Sequence, residues 1–398
     1  MSACRSTSGH PPRFEGVLAG AERTDRRNVR QRAAAGGLGG AGAGYSCAML
    51  DADCRATLER LAVRRGRVLL AVSGGRDSMV LLDLMRRCAG SQEIELSVAH
   101  IQHGLRGLAS EADEELVRRV AAEAGLDCHV RRIDPEGPRR GSSSRERPTL
   151  EEASRNLRRA ALDEIAREAG CDWIAIGHHA GDQAETLLLR ILRGTGPDGL
   201  AGMAEIGDEG RRIRPLLRVF PETLEEWATT RGLEWREDAS NHDRRFARNR
   251  LRLDVVPELA ETFNPRLLRT LSDLAEAGRR DLEWIEALVD EAARETLDVG
   301  RSGIRFAIDG WDVVPEALAR RLVRRGFVAA GLGRDVTRAH LARVLAFLRK
   351  GRAAGRDKRL ELPGGFVLRR GDDCFTIAPE AGAGGFDPLG NATLLKRD

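Results

Sequence analysis

The chain has 398 residues and a formal net charge of +4, enough length for two domains with separate cores and too little charge to demand a polyanionic partner. Only Lys350, Lys358 and Lys396 are lysines, which excludes a Walker A or Schiff-base lysine in the front of the chain and leaves arginine as almost the whole positive charge, through phosphate recognition or coding bias. Seven scattered cysteines form no C-x-x-C pair, and no apolar run is long enough to span a bilayer or signal export, so a soluble cytoplasmic protein with reduced thiols is expected.

Residues 1–48 are rich in Gly, Ala, Arg and Ser without apolar periodicity, which predicts a disordered tail or a start placed too early, with Met49 as the true start. An arginine-rich targeting peptide is the alternative. From Arg67 the pattern changes to short apolar runs, each ending in Gly, His or Asp and each followed by a helical stretch. Residues 68–72 predict a buried strand and 79–88 the helix after it; 94–101 predict a second strand, and 111–124 a helix with Ala112, Leu116, Val120 and Ala124 on one face. A third strand at 128–133 precedes a Pro, Gly, Ser and Arg stretch, 134–148, that reads as a mobile loop. Helix 150–169, strand 172–177 and helix 182–192 follow. This alternation predicts an α/β domain with a parallel sheet and helices on both faces, in which ligands bind beyond the carboxyl ends of the strands. After Pro257 the pattern turns helical, over 267–274, 282–288, 315–328 and 336–348, before a small β element at 359–377 around Pro363-Gly364-Gly365. The expected organisation is a catalytic domain over 49–255 and a smaller, mostly helical domain over 256–398 that ends in that β element.

The first predicted strand runs straight into Ser73-Gly74-Gly75-Arg76-Asp77-Ser78 and then a helix. Two glycines let backbone amides turn toward an anion, the helix amino terminus adds a favourable dipole, and Ser73 and Ser78 offer hydroxyls. Asp77 would be repelled by phosphate unless Mg²⁺ bridges them, so a metal-bound pyrophosphate is the expected ligand. An ordinary Gly-Gly turn capped by serine before a helix is the competing explanation. The pattern S-G-G-x-D-S after a strand resembles the signature of the PP-loop ATP pyrophosphatases, whose domain is Rossmann-like and of the adenine nucleotide alpha hydrolase kind. The resemblance implies ATP cleaved between its α and β phosphates, with AMP passed to an oxygen of the substrate.

Four further blocks are similar to one branch of that superfamily, the tRNA(Ile)-lysidine synthetases. They are His100-Ile101-Gln102-His103-Gly104-Leu105-Arg106; Glu152-Ala153-Ser154-Arg155-Asn156-Leu157-Arg158; the stretch from Gly177-His178-His179 through Asp182, Glu185 and Arg193-Gly194-Thr195-Gly196 to Met203; and Glu237-Asp238-Ala239-Ser240-Asn241 with Arg248-Asn249-Arg250 and Arg252. Leu362-Pro363-Gly364-Gly365 resembles part of the family's tRNA-binding region, and the chain is expected to end where longer members continue. Gln102 stands where Asp or Asn is usual, and Arg159 where Tyr commonly follows.

The resemblance implies adenylation of the carbon-2 carbonyl oxygen of the wobble cytidine in tRNA(Ile) with anticodon CAU, then displacement of AMP by free lysine. It assigns Ser73, Gly74, Gly75, Arg76, Asp77 and Ser78 to ATP, Asp77 to Mg²⁺, and Arg158, Asp182 and Glu185 to the zwitterionic lysine. Asp77, Arg158, His178, Asp182 and Glu185 are the implied catalytic set, and Asn249, Arg250 and Arg252 the implied tRNA contacts. Plainer explanations stand beside these: Asp182 at a helix cap with Glu185 three later is also a capping box, and the arginines of the last block could pair with Glu237 and Asp238. Arg320, Arg321, Arg324 and Arg325 suit either tRNA phosphates or a solvated helix face, whereas Trp173, Trp227 and Trp235 read as core. A metal hydrolase using His178, His179, Asp182 and Glu185 is the rival from another class, and a non-catalytic tRNA-binding protein a third. Oligomeric state is left open, a homodimer included.

Overall fold

A computed structural model describes residues 49–102, 108–139, 149–207, 210–237, 239–300, 303–332 and 336–380. The expected tail 1–48, residues 103–106 of the second block, Asp238 of the last and 140–148 of the loop lie outside the described residues. Among the described residues no helix is long and apolar enough to cross a membrane.

The chain divides into two compact units between Leu282 and Glu283. In the first, the elements run α1 (Leu50–Arg60), β1 (Gly66–Ala71), α2 (Arg76–Gln92), β2 (Ile94–Gln102), α3 (Leu108–Glu123), β3 (Cys128–Arg132), α4 (Leu150–Glu168), β4 (Trp173–Ile176), α5 (Ala180–Leu192), α6 (Pro197–Leu200), β5 (Ile206–Gly207), β6 (Arg212–Ile213) and α7 (Pro221–Thr230). The sheet order is β3-β2-β1-β4-β6-β5, parallel except where β5 turns back on β6. Alternate residues of β1 point to opposite faces, and both faces are covered. Val68 and Leu70 enter a core with Val80, Leu81 and Leu84 of α2, whereas Leu69 packs with Leu162, Ile165 and Ala166 of α4. The chain moves outward from β1 through β2 to β3, then crosses back to place β4 on the other side of β1. Such a crossover opens a crevice at the carboxyl ends of the two strands, where the expected ligand loops lie.

The predicted boundary at 255/256 is displaced. A short helix α8 (Ala247–Arg250), a π turn over Leu251–Val255 and α9 (Val256–Thr262) belong to the first unit, and the division falls inside a single helix, α10 (Leu267–Thr296). One continuous apolar stripe runs through α10 and hides the change of partner: Leu271 and Ala275 pack with Ala184 and Leu187, whereas Val289, Ala292 and Ala293 enter the second core.

The second unit has the expected helices and a larger β element than expected. A five-stranded antiparallel sheet, ordered β7-β8-β11-β10-β9, comprises β7 (Leu297–Gly300), β8 (Gly303–Ala307), β9 (Arg359–Leu362), β10 (Phe366–Arg370) and β11 (Cys374–Pro379). It packs with α11 (Glu316–Ala329) and α12 (Arg338–Leu348) around Phe306, Phe327, Leu345 and Phe375. β7 and β8 are too short for their alternation to stand out beside a long helix.

Candidate active site

Ala71 of β1 lies in register with Ile176 of β4, so the segments that follow them leave the sheet side by side. Gly74 has φ +89°, a conformation that side chains with a Cβ rarely adopt, and Gly75 caps α2 with extended backbone. Hydroxyls knit the turn. Ser78 Oγ donates to the Gly75 carbonyl at 2.8 Å and accepts the Ser73 amide at 3.2 Å, while Ser73 Oγ lies 3.2 Å from Ser78 Oγ. Arg236 braces the loop from outside: its amide donates to the Gly74 carbonyl at 3.0 Å, and its guanidinium holds Asp113 at 2.7 Å. Gly177 passes behind the loop, where a Cβ would stand 3.1 Å from the Asp77 carbonyl oxygen.

His179 caps α5. Its Nδ1 accepts the Gly181 amide at 3.0 Å, and its own amide donates to Asp182 Oδ2 at 3.1 Å. This is the capping box, one turn earlier than the Asp182 and Glu185 pair that spacing pointed to, because the chain enters the helix at Ala180 with histidine as the cap. With Nδ1 an acceptor, Nε2 carries the proton, and it faces Asp77 Oδ2 at 3.4 Å and Asp182 Oδ2 at 3.6 Å. Burial works against ionising Asp77, but His179 and then Arg76, whose Nε is 3.1 Å away, more than offset it and hold the carboxyl at about 2. Burial likewise opposes a charged His179, and the carboxylates of Asp182 and Asp77 outweigh it, raising its pKa. His178 goes the other way. Burial, opposed by Asp182 and reinforced by Arg214 and Arg248, pushes it down to about 4. Its Nδ1 accepts the Arg214 Nε–H at 3.2 Å, so the neutral ring carries its hydrogen on Nε2.

Glu185, 3% exposed, is held between two arginines. Arg252 Nε donates to its Oε1 at 2.6 Å and Arg248 Nε to its Oε2 at 3.1 Å, while Arg252 Nη2 reaches Asp182 Oδ1 at 3.1 Å. Arg248 also donates to Thr186 Oγ1 at 2.7 Å. Burial raises the pKa of Glu185 against the pull of Arg252, whereas for the more open Asp182 the same effect of burial is outweighed by His179, His178 and Arg252, which lower it.

A cavity of about 720 Å³ gathers most of these groups: the loop residues Ser73 and Gly75 to Ser78, then His178, Asp182, Arg214 and Arg252. Arg155, Arg158 and Arg159 of α4 share its wall because positions three and four apart lie on one helix face. Glu185, Asn249 and Arg250 are not on that wall; Asn249 donates to the Asp243 carbonyl at 2.9 Å, and Arg250 is exposed on α8. Sequence reasoning missed Arg214, Arg236 and Asp113, which sit in no recognisable motif, and it gave His179 a part only as a ligand in the rival metal hydrolase. His100, in the second block, lines the cavity too and donates from Nδ1 to the Val72 carbonyl at 2.9 Å.

The hydrolase alternative loses its ligands to other partners. His178 and His179 each spend Nδ1 on Arg214 and Gly181, Glu185 is taken by two guanidiniums, and no group of three or more metal-ligating side chains occurs among the described residues. In the second unit Arg321 and Arg325 are largely enclosed and pair with Glu286, and Arg325 with Asp290, at 2.5 to 3.1 Å, so these two are ion-paired within the unit rather than part of a solvated face, whereas Arg324 is exposed. Trp227 is core, its Nε1 donating to Asp83 at 2.9 Å, and Trp173 packs on the same core; Trp235 packs there as well but also lines the cavity, a partial correction.

Residues 50–259 match a family described as PP-loop domain, and residues 306–375 match one described as TilS substrate binding domain. Similar proteins carry the name tRNA(Ile)-lysidine synthase. That of Solibacter usitatus is 37% identical over 304 residues, covering 76% of this chain and 65% of its own length. The Chlorobaculum tepidum protein is 39% identical over 228 residues, covering 57% of this chain and 67% of that one. For Geobacillus kaustophilus the identity is 30% over 325 residues, with 80% and 68% covered. The chain thus spans only 65% of the length of the Solibacter relative and 63% of that from Geobacter sulfurreducens. With the PP-loop match extending over more than half of its length, the chain belongs to the tRNA(Ile)-lysidine synthase family.

Proposed function

We propose that the chain uses ATP to join free lysine to carbon-2 of the wobble cytidine in tRNA(Ile) with anticodon CAU. In the first step the carbon-2 oxygen attacks the α-phosphorus of ATP and pyrophosphate leaves. In the second, an amino nitrogen of lysine attacks carbon-2, the carbon–oxygen bond breaks, AMP leaves with that oxygen, and the nitrogen loses a proton. One observation carries the proposal: Asp77 of the phosphate loop and Asp182 at the start of α5 face the same histidine N–H, at 3.4 and 3.6 Å, on the wall of one cavity. A two-step ligation needs its nucleotide and its amine at a single carbon, and this contact brings the groups suited to each within one site.

In this reading the Ser73 to Ser78 turn and the amino end of α2 hold the phosphates. Asp77 fits Mg²⁺: it is an ionised carboxylate in the loop itself, paired with Arg76 and His179, and would give one ligand to an ion that takes its others from phosphate and water. Mg²⁺ bound there would neutralise charge gathering on the departing pyrophosphate. Arg158 suits the carboxylate of lysine, and Asp182 and Glu185 its ammonium. His178, with hydrogen on Nε2, suits donation to the departing oxygen rather than taking a proton. Asn249, Arg250 and Arg252 serve the anticodon backbone. The cytoplasm is where tRNA, lysine and ATP meet, and a homodimer is compatible with the chemistry. Incubating the protein with ATP, Mg²⁺ and a CAU-anticodon tRNA(Ile) transcript tests the first step: pyrophosphate release that requires the RNA is expected, and equal release without RNA overturns it.

A further inference from the structure

We propose that Arg252 occupies the ammonium site of lysine as an internal cation, and that bound RNA draws it away, so lysine is admitted only after RNA. The proposal rests on the assignment of Asp182 and Glu185 to lysine made above.

All four carboxylate oxygens of that pair already have a donor. Arg252 supplies two, at Asp182 Oδ1 and Glu185 Oε1; Arg248 supplies Glu185 Oε2; and the His179 amide supplies Asp182 Oδ2. Two carboxylates against two guanidiniums leave no net negative charge for an ammonium, and adding a further cation to so enclosed a group is strongly penalised. Position points the same way. Asp182 and Arg252 line the cavity and Glu185 does not, so a ligand reaching Glu185 from the cavity must first displace the guanidinium that covers it.

What removes Arg252 follows from its chemistry. A guanidinium exchanges one bidentate oxyanion for another with little change in geometry, and phosphate is the competitor an RNA backbone brings. Arg252 also sits in the π turn Leu251–Val255 between two short helices, and π turns are irregular segments that recur at functional sites. Moving Arg252 onto a phosphate leaves Glu185 with Arg248 alone and Asp182 with His179, two carboxylates against one guanidinium and so a place for one ammonium.

Calorimetric titration of L-lysine into the full chain tests this, with and without a CAU-anticodon tRNA(Ile) transcript and without ATP. The wild type alone should bind lysine about tenfold or more weakly than the RNA complex. Without RNA, Arg252→Gln should bind lysine about as tightly as that complex, whereas Arg252→Lys, which keeps a cation in place, should stay weak. Equal affinity of the wild type with and without RNA overturns the proposal, as does an Arg252→Gln variant that keeps the wild-type thermal midpoint and gains nothing. The same samples, given ATP and RNA, are assayed for pyrophosphate. RNA-dependent release together with RNA-independent lysine binding sinks the gate alone; no release and no lysine binding in any sample sinks the proposed function with it.

Discussion

Adding one methyl group at Gly177 presses on the main chain of Asp77 and Ser78 and so displaces the phosphate loop without altering any side chain assigned to substrate. An ideal Cβ there would lie 3.1 Å from the Asp77 carbonyl oxygen, 3.3 Å from its carbonyl carbon and 3.4 Å from Ser78 Cα. All three neighbours are main chain, so no rotamer change relieves the contact, and the first turn of α2 must retreat by a few tenths of an ångström. Gly177 is not in the left-handed region, so alanine adds no conformational strain of its own. Overpacking of this kind costs about 1–3 kcal/mol, which lowers the thermal midpoint by a measurable amount. Because a misplacement of about 1 Å can cost ~100-fold in rate, a shift of this size should cost about tenfold. The expected result for Gly177→Ala is kcat/KM for ATP down about tenfold in RNA-dependent pyrophosphate release, with KM for lysine unchanged. Wild-type ATP kinetics in the variant, or an equal change in both substrates, would refute the placement of the loop.

Four further outcomes follow from the structure. Asp77→Ala should abolish pyrophosphate release. Asp182→Asn should leave release intact but raise KM for lysine about tenfold to a hundredfold, the range for one hydrogen bond to a charged group; equal loss of the first step in both variants contradicts that division. The folded pKa of His178, about 4, lies below its ordinary 6.5, so between those values the unfolded chain binds more protons and stability falls as pH drops from about 6.5 to about 4. Urea unfolding at stepped pH should show that slope flattened in His178→Asn; an unchanged slope counts against a buried neutral ring. In the second unit, a Cβ at Gly326 would meet the buried Phe306 ring at 2.4 Å, so Gly326→Ala should destabilise that unit by about 1–3 kcal/mol despite the better helix propensity of alanine. Hydrogen exchange should quicken across β8 and α11, and unaltered protection there would contradict the packing.

The strands β1 and β4 at the centre of the sheet were legible because they read as short, largely buried apolar runs, and the phosphate turn because two glycines between a strand and a helix are hard to mistake. Helix starts were less so. α2 begins at Arg76 rather than Met79, since its first turn is made of the polar loop residues themselves, and α5 is capped by His179, a residue type that propensity does not associate with caps. Nor could spacing reveal that Glu185 is enclosed by Arg248 and Arg252, 63 and 67 residues away, or that Arg236 clasps Asp113 across 123. Periodicity reports which face of an element is buried; it carries nothing about which distant side chain arrives there. The strands β7 and β8 were missed for a related reason, since four or five residues give too few alternations to separate a strand from a connection.

The most direct test of the account is chemical analysis of the RNA itself. After incubation with ATP, Mg²⁺ and lysine, a CAU-anticodon tRNA(Ile) transcript is digested to nucleosides and weighed by mass spectrometry. One cytidine, at the wobble position, should be heavier by lysine less water, and the shift should vanish when lysine or ATP is left out. A transcript whose cytidines all keep their mass, with the protein folded and ATP present, contradicts the claim that this cavity joins lysine to a base.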